Sequence, residues 1–192
     1  LSKKNPSVNI PVSELSDCID AVVYGLQEYT QYSGLNKVLV GVSGGIDSAI
    51  VAALAVQALG KENVTCISMP TTYNSDETKN DAKQLVENLG CYWQEFPIET
   101  LRDQITTSIG LLAKSSSLKP ITNQNIQARL RGLILMSISN QQNKLLLTTG
   151  NKSELAMGYA TLYGDMCGGL NIIGDIFKSD IFKMATLMNK RN

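Results

Sequence analysis

Between residues 41 and 48 the chain reads Gly41, Val42, Ser43, Gly44, Gly45, Ile46, Asp47, Ser48. The paired glycines let the backbone turn tightly and let an oxygen-rich ligand approach its N–H groups. A helix starting at this point adds unpaired N–H groups and the positive end of its dipole. A loop of this kind cradles phosphate. Ser43 and Ser48 can each donate a hydroxyl hydrogen bond to a phosphate oxygen. Asp47 repels a bare phosphate, so its presence fits a Mg²⁺ held between carboxylate and phosphate. Taken alone, the segment also reads as a plain strand-to-helix turn with Asp47 as a helix cap. It is not a Walker loop, because GxxxxGK[ST] is absent and no lysine follows the glycines.

The elements that must position this loop follow from the apolar pattern. Leu15, Ile19, Val22, Val23 and Leu26 recur at helical spacing from Val12 to about Tyr32, with Ser13 as the expected N-cap and Gly34 as the stop. Residues 37–42 form a short β-branched run bounded by turn residues, which predicts a buried strand. Ser48 to Leu59 is Ala-rich and helical and ends at Gly60. Further strands are expected at 64–69, 91–96, 144–148 and 170–173. Further helices are expected at 76–89, 100–113, 124–140 and 179–189. In the helix over 124–140, Ile126, Leu130, Leu133, Ile134 and Ile138 are expected to face inward.

Strands alternating with helices of this length predict an α/β fold: a doubly wound, mostly parallel five-stranded sheet with helices on both faces. Such sheets bind ligands beyond the carboxyl ends of their strands, where the strand order reverses. That rule singles out Ser43 to Ser48, Pro70 to Ser75 and Thr149 to Glu154.

Composition narrows the chemistry. Of 192 residues, 43% are hydrophobic and 18% charged, which is ordinary globular usage. Lys plus Arg and Asp plus Glu balance at 17 each, so neither nucleic acid nor an anionic membrane is an expected partner. There is no histidine, which removes imidazole acid–base steps and His metal ligands. Cys18, Cys66, Cys91 and Cys167 contain no CxxC pair, so a zinc site is not expected, and their scatter fits a reducing compartment. The longest mostly apolar stretch, Ala49 to Leu59, is too short to span a bilayer. The first ten residues are polar and expected to fray.

The SGGIDS segment resembles the PP-loop of the N-type ATP pyrophosphatases, whose fold is the adenine nucleotide alpha hydrolase type. Downstream come Asn125-Ile-Gln-Ala-Arg-Leu-Arg131, Thr148-Thr-Gly-Asn-Lys-Ser-Glu154, Gly158-Tyr-Ala-Thr-Leu-Tyr-Gly-Asp165 and Gly174-Asp-Ile-Phe-Lys178. In this order and spacing they resemble the synthetase domain of the NAD⁺ synthetases, closest to the glutamine-dependent form, from about Val38 to Asn189.

The resemblance implies a reaction. ATP adenylates the nicotinate carboxylate of deamido-NAD, pyrophosphate leaves, and ammonia displaces AMP to give NAD⁺. It also implies roles. Gly41 to Ser48 bind the ATP phosphates, and Asp47 helps hold Mg²⁺. Thr149 contacts ATP, and Lys178 lies on its phosphates. Glu154 matches an acidic residue on Mg²⁺ or deamido-NAD, Asn125 and Arg129 match deamido-NAD-binding positions, and Asp165 lies near nicotinate and ammonia. By residue type alone, Asn125 and Arg129 also fit a polar helix face, Glu154 a first-turn glutamate and Lys178 a solvated lysine. Tyr159 and Tyr163 could stack on a base or pack in the core, and Cys167 is not expected to be a catalytic thiol.

Family members are homodimers, so a homodimer is expected, and the cysteine usage makes a cytoplasmic setting the expectation; the long forms take ammonia from a glutaminase domain, which would lie outside this chain. They also continue past the terminal helix. The expected organisation is therefore one synthetase domain over 1–192, incomplete at its C-terminal end. Two other readings stay open on sequence: another PP-loop amidating ligase, of the GMP synthetase or tRNA-modifying type, or an ATP-binding module without turnover.

Overall fold

The computed structural model describes residues 12–71, 76–115 and 117–191. The expected fraying of the first ten residues and most of the loop after Pro70 lie outside them. In chain order the elements are α1 (Val12–Ser33), β1 (Val38–Val42), α2 (Ile46–Leu59), β2 (Val64–Ser68), α3 (Asp76–Leu89), β3 (Tyr92–Glu95), α4 (Glu99–Leu112), α5 (Pro120–Gln142), β4 (Leu145–Thr148), α6 (Lys152–Met157), β5 (Leu170–Asn171) and α7 (Lys178–Arg191).

Among the described residues the strands form one parallel sheet in the order β3-β2-β1-β4-β5. Val38 of β1 pairs with Val64 of β2 on one side and Leu145 of β4 on the other. Strand order reverses between β1 and β4. The loops leaving those strands, beginning at Ser43 and Thr149, therefore flank the crevice where such sheets bind ligands.

Side-chain alternation sorts the strands onto two cores. Val38, Val40, Val42, Cys66, Leu145 and Leu147 face a layer built from α1, α2, α3 and α7. Leu39, Ile67 and Leu146 face the opposite layer, where Leu130 of α5 and Ile105 of α4 pack. The apolar β1 is covered on both faces, as its sequence requires.

Four features differ from the sequence expectation. Leu133 is 64% exposed. The inward row of α5 runs Ile126, Leu130, Ile134 and Ile138, one residue in four, and Leu133 lies about 100° around the helix from Ile134. Pro120 starts α5 earlier than expected, as its fixed φ suits a first turn. The short helix α6 was not anticipated as an element. Ser13 falls inside α1 as described rather than before it. Its side chain, like residue 11, lies outside the described part.

Candidate active site

The loop from β1 to α2 holds its shape through its own serines. Ser48 is buried, and its hydroxyl donates to the Gly45 carbonyl at 2.9 Å. The same oxygen accepts the Ser43 N–H at 3.3 Å, and the Ser43 hydroxyl accepts the Gly45 N–H at 3.2 Å. These bonds turn the loop into a closed cup. They also give the Ser48 hydroxyl a role within the protein, beside the phosphate contact that sequence assigns to it. Gly44 has φ +85°, and a Cβ there would collide with the Thr78 carbonyl of α3. Glycine is the residue that suits both conditions. Gly45 is the N-cap of α2 and supplies no side-chain cap, so the first-turn N–H groups have no side-chain acceptor from it.

Asp47, in the first turn of α2, is the centre of a network from three parts of the chain. One oxygen takes an ion pair from Lys178 Nζ at the start of α7. The other accepts a 3.1 Å hydrogen bond from Asn151 Nδ2. Asn151 is 1% exposed and caps α6. Its Oδ1 accepts the Glu154 N–H at 3.0 Å, while Glu154 Oε2 accepts the Asn151 N–H at 3.1 Å. This is a capping box. Two further bonds fasten α6 to α7: Lys178 N–H to Ser153 Oγ at 3.1 Å and Lys152 N–H to the Ile176 carbonyl at 3.0 Å. The segment GNKSE thus works first as a joint. Sequence reasoning did not single out Asn151, although Asn followed three residues later by Glu is the signature of such a box.

The segment from Gly158 to Asp165 docks on α5. Thr161 Oγ1 donates to Asn125 Oδ1 at 3.1 Å, and Arg129 Nε donates to the Leu162 carbonyl at 3.1 Å. Gly164 sits against Ala128, where a Cβ would come within 2.9 Å of the alanine methyl. Asp165 Oδ1 accepts the Thr161 N–H at 2.6 Å. Tyr159 and Tyr163 are 81% and 80% exposed, so they are not core residues.

Three cavities meet around Asp165. The first, about 360 Å³, lies beyond the ends of β1, β2 and β4 and is walled by Gly41, Ser43, Met69, Arg131, Thr149 and Asp165. The second, about 380 Å³, holds Asp47, Ser48, Thr149, Glu154, Tyr159 and Asp165. The third, about 450 Å³, opens outward past Asn125, Gln127, Arg131, Tyr159 and Asp165. Volumes of this size suit portions of a nucleotide. Arg129 walls none of the three, because its guanidinium is turned to the Leu162 carbonyl. Arg131, which sequence reasoning passed over in favour of Arg129, walls two.

The donors also suit a hard cation. Asp47 and Glu154 line the same cavity. Among the described residues no group of three His, Cys, Asp or Glu side chains is placed to hold a metal. Two protein carboxylates plus phosphates and water is the usual environment of Mg²⁺. No helix among the described residues is long and apolar enough to cross a membrane.

A family model described as NAD synthase matches residues 18–190. The chain belongs to the NAD synthase family. A glutamine-dependent NAD(+) synthetase of Thermotoga maritima is 45% identical over 186 residues, covering 96% of this chain and 32% of that protein. The structure of a glutamine-dependent NAD+ synthetase from Acinetobacter baumannii in complex with ADP superposes with TM-score 0.90 at 34% identity, over 100% of this chain and 35% of that one. An NH3-dependent NAD synthetase from Campylobacter jejuni, in complex with the nitrate ion, gives TM-score 0.82 at 34% identity, over 91% and 73% of the two chains. The chain thus spans about a third of the length of the curated NAD synthase relatives it matches. The five-stranded parallel sheet is the NAD synthase architecture.

Proposed function

We propose that this chain carries the ATP-dependent amidation of deamido-NAD to NAD⁺, with AMP and pyrophosphate as co-products. The observation that carries the reading is the meeting of cavities at Asp165. The phosphate cup with Asp47 and Lys178 lies on one side, and the outward cavity with Asn125 lies on the other.

In the proposed reaction a nicotinate carboxylate oxygen attacks the α-phosphorus of ATP. The bond to the bridging oxygen breaks and pyrophosphate leaves. Ammonia then attacks the carbonyl carbon of the mixed anhydride, AMP leaves, and a proton is released. The backbone from Gly41 through Val42, Gly44, Gly45 and Ile46 receives the departing pyrophosphate, with Ser43 and Ser48 holding the cup. Lys178 offsets the negative charge that develops there. Thr149 contacts ATP at the end of β4. Asn125 binds deamido-NAD in the outward cavity, and Arg129 serves the same substrate from the rim it shares with Leu162. Asp165 uses one oxygen to fix the Thr161 N–H, and its second oxygen orients ammonia. Positioning and electrostatics supply the rate.

Asp47 and Glu154 would hold a Mg²⁺, which when bound neutralises phosphate charge. The relatives named glutamine-dependent support a nitrogen supply from a glutaminase domain outside these residues. Exposed Leu133, Leu155, Met157, Leu162 and Tyr163 offer apolar surface for the pairing of two copies. Four free thiols among the described residues support a cytoplasmic setting.

The test is to mix the chain with Mg-ATP, deamido-NAD and ammonium chloride and to quantify AMP, pyrophosphate and NAD⁺. Equal appearance of all three supports the reading. ATP binding without AMP would leave a binding module instead. AMP formation with a different carboxylate or carbonyl acceptor would make it another amidating ligase.

A further inference from the structure

Arg131 and Asp165 are the residues shared by the inner cavity beside the phosphate loop and the outward cavity beside Asn125. They stand where the two spaces join. Arg131 projects from α5 on a different side from Arg129. Its Nε donates to the Met69 carbonyl at 3.3 Å, which fixes the guanidinium against the end of β2. That is the one hydrogen bond the structure gives its side chain among the described residues, and no carboxylate forms an ion pair with it there. Burial pulls the guanidinium below its ordinary value, because the charged form has lost water without gaining an anion. A half-buried cation with a fixed stem and free terminal nitrogens is costly unless an anion completes it.

Within the proposed reaction two anions must approach each other at this junction: a carboxylate and the α-phosphate. A cation there lowers their repulsion and stabilises the charge on the five-coordinate phosphorus. We infer that Arg131 is a further catalytic residue, whose terminal nitrogens bind an α-phosphate oxygen of the adenine nucleotide where the two cavities join. The inference rests on the reading of the inner cavity as the nucleotide site. Its planar fork suits a phosphate oxygen pair better than an ammonium does.

The test compares AMP with adenosine by calorimetric titration of the wild-type chain, Arg131→Gln and Arg131→Lys, with thermal melts of all three. A charge-assisted contact to the α-phosphate predicts that the preference for AMP over adenosine falls about tenfold or more in Arg131→Gln and partway in Arg131→Lys, with adenosine affinity retained. Should Arg131→Gln fail to fold, the ratio in Arg131→Lys decides alone. An unchanged ratio, or equal loss of adenosine and AMP, would overturn the inference and leave Arg131 as a brace for Met69. A wild-type chain that binds neither compound would overturn it too. Deamido-NAD takes no part in this comparison. A chain that shows the Arg131 effect but no turnover of deamido-NAD contradicts the proposed function and not the phosphate contact.

Discussion

Lys178 places its ammonium on the Asp47 carboxylate, joining residues 131 apart in sequence. The pair closes the phosphate loop against the first turn of α7. Lys178 Nζ also lies 5.7 Å from the centre of the Phe182 ring, so the stem is held beside an aromatic face. The Lys178 side chain is 39% exposed, and an ion pair this open adds little to stability. In the proposed reaction its part is to aim a cation at the cup. Lys178→Met should therefore melt within a few degrees of wild type while pyrophosphate release falls about 10²–10³-fold, the size of a lost transition-state contact. A variant that loses stability and activity in step would make the pair structural.

Asn151 has a double task. It caps α6 and orients Asp47, and its amide is buried. Asn151→Ala should cost about 1–3 kcal/mol in a denaturant titration, from the lost cap and the buried groups left unpaired. Asn151→Asp keeps a cap acceptor but sets a second carboxylate against Asp47. It should retain more helix stability than Asn151→Ala and lose more affinity for ATP. The reverse order would show that the cap, not the orientation of Asp47, is the larger part.

Cys66 and Cys91 lie with their sulfurs 3.8 Å apart, on and just before neighbouring strands. The hydrogen bond from the Cys66 thiol holds Cys91 below the ordinary thiol value, and the same bond with burial pushes Cys66 up. As pH rises, Cys91 ionises first and Cys66 stays a thiol. Iodoacetamide labelling followed by peptide mass mapping should modify Cys91 before Cys66. In Cys66→Ala the donor is gone, so the labelling curve of Cys91 should move to higher pH. An unmoved curve would contradict the thiol pair.

The strands were legible as short apolar runs bounded by turn residues, and the helices as apolar residues at helical spacing. The β-branched run at β1, bounded by turn residues, and apolar residues three and four apart on α5 were enough to place the sheet and most of its cover. Leu133 misled because helical spacing gives the direction of a side chain but not the width of the surface it meets. The loop cup was legible because paired glycines with serine and aspartate have few other uses between a strand and a helix. Asn151 and Arg131 were not. The cap that Asn151 makes on α6 has a local signature, but its contact with Asp47, a hundred residues earlier, has none. Arg131 differs from Arg129 only in which side of α5 it occupies, and that is decided by how the helix lies on the sheet. The hydrogen bond from Arg129 Nε to the Leu162 carbonyl likewise has no local pattern.

In the proposed reaction the carboxylate of the acceptor attacks the α-phosphate of ATP in the space around Asp165. The most direct measurement uses deamido-NAD with both oxygens of its nicotinate carboxylate heavy-labelled, with Mg-ATP, ammonium and the chain, followed by mass analysis of the AMP and the NAD⁺. Attack through the carboxylate predicts one labelled oxygen in each AMP formed and one retained in the amide of NAD⁺. NAD⁺ formed together with unlabelled AMP would contradict the account.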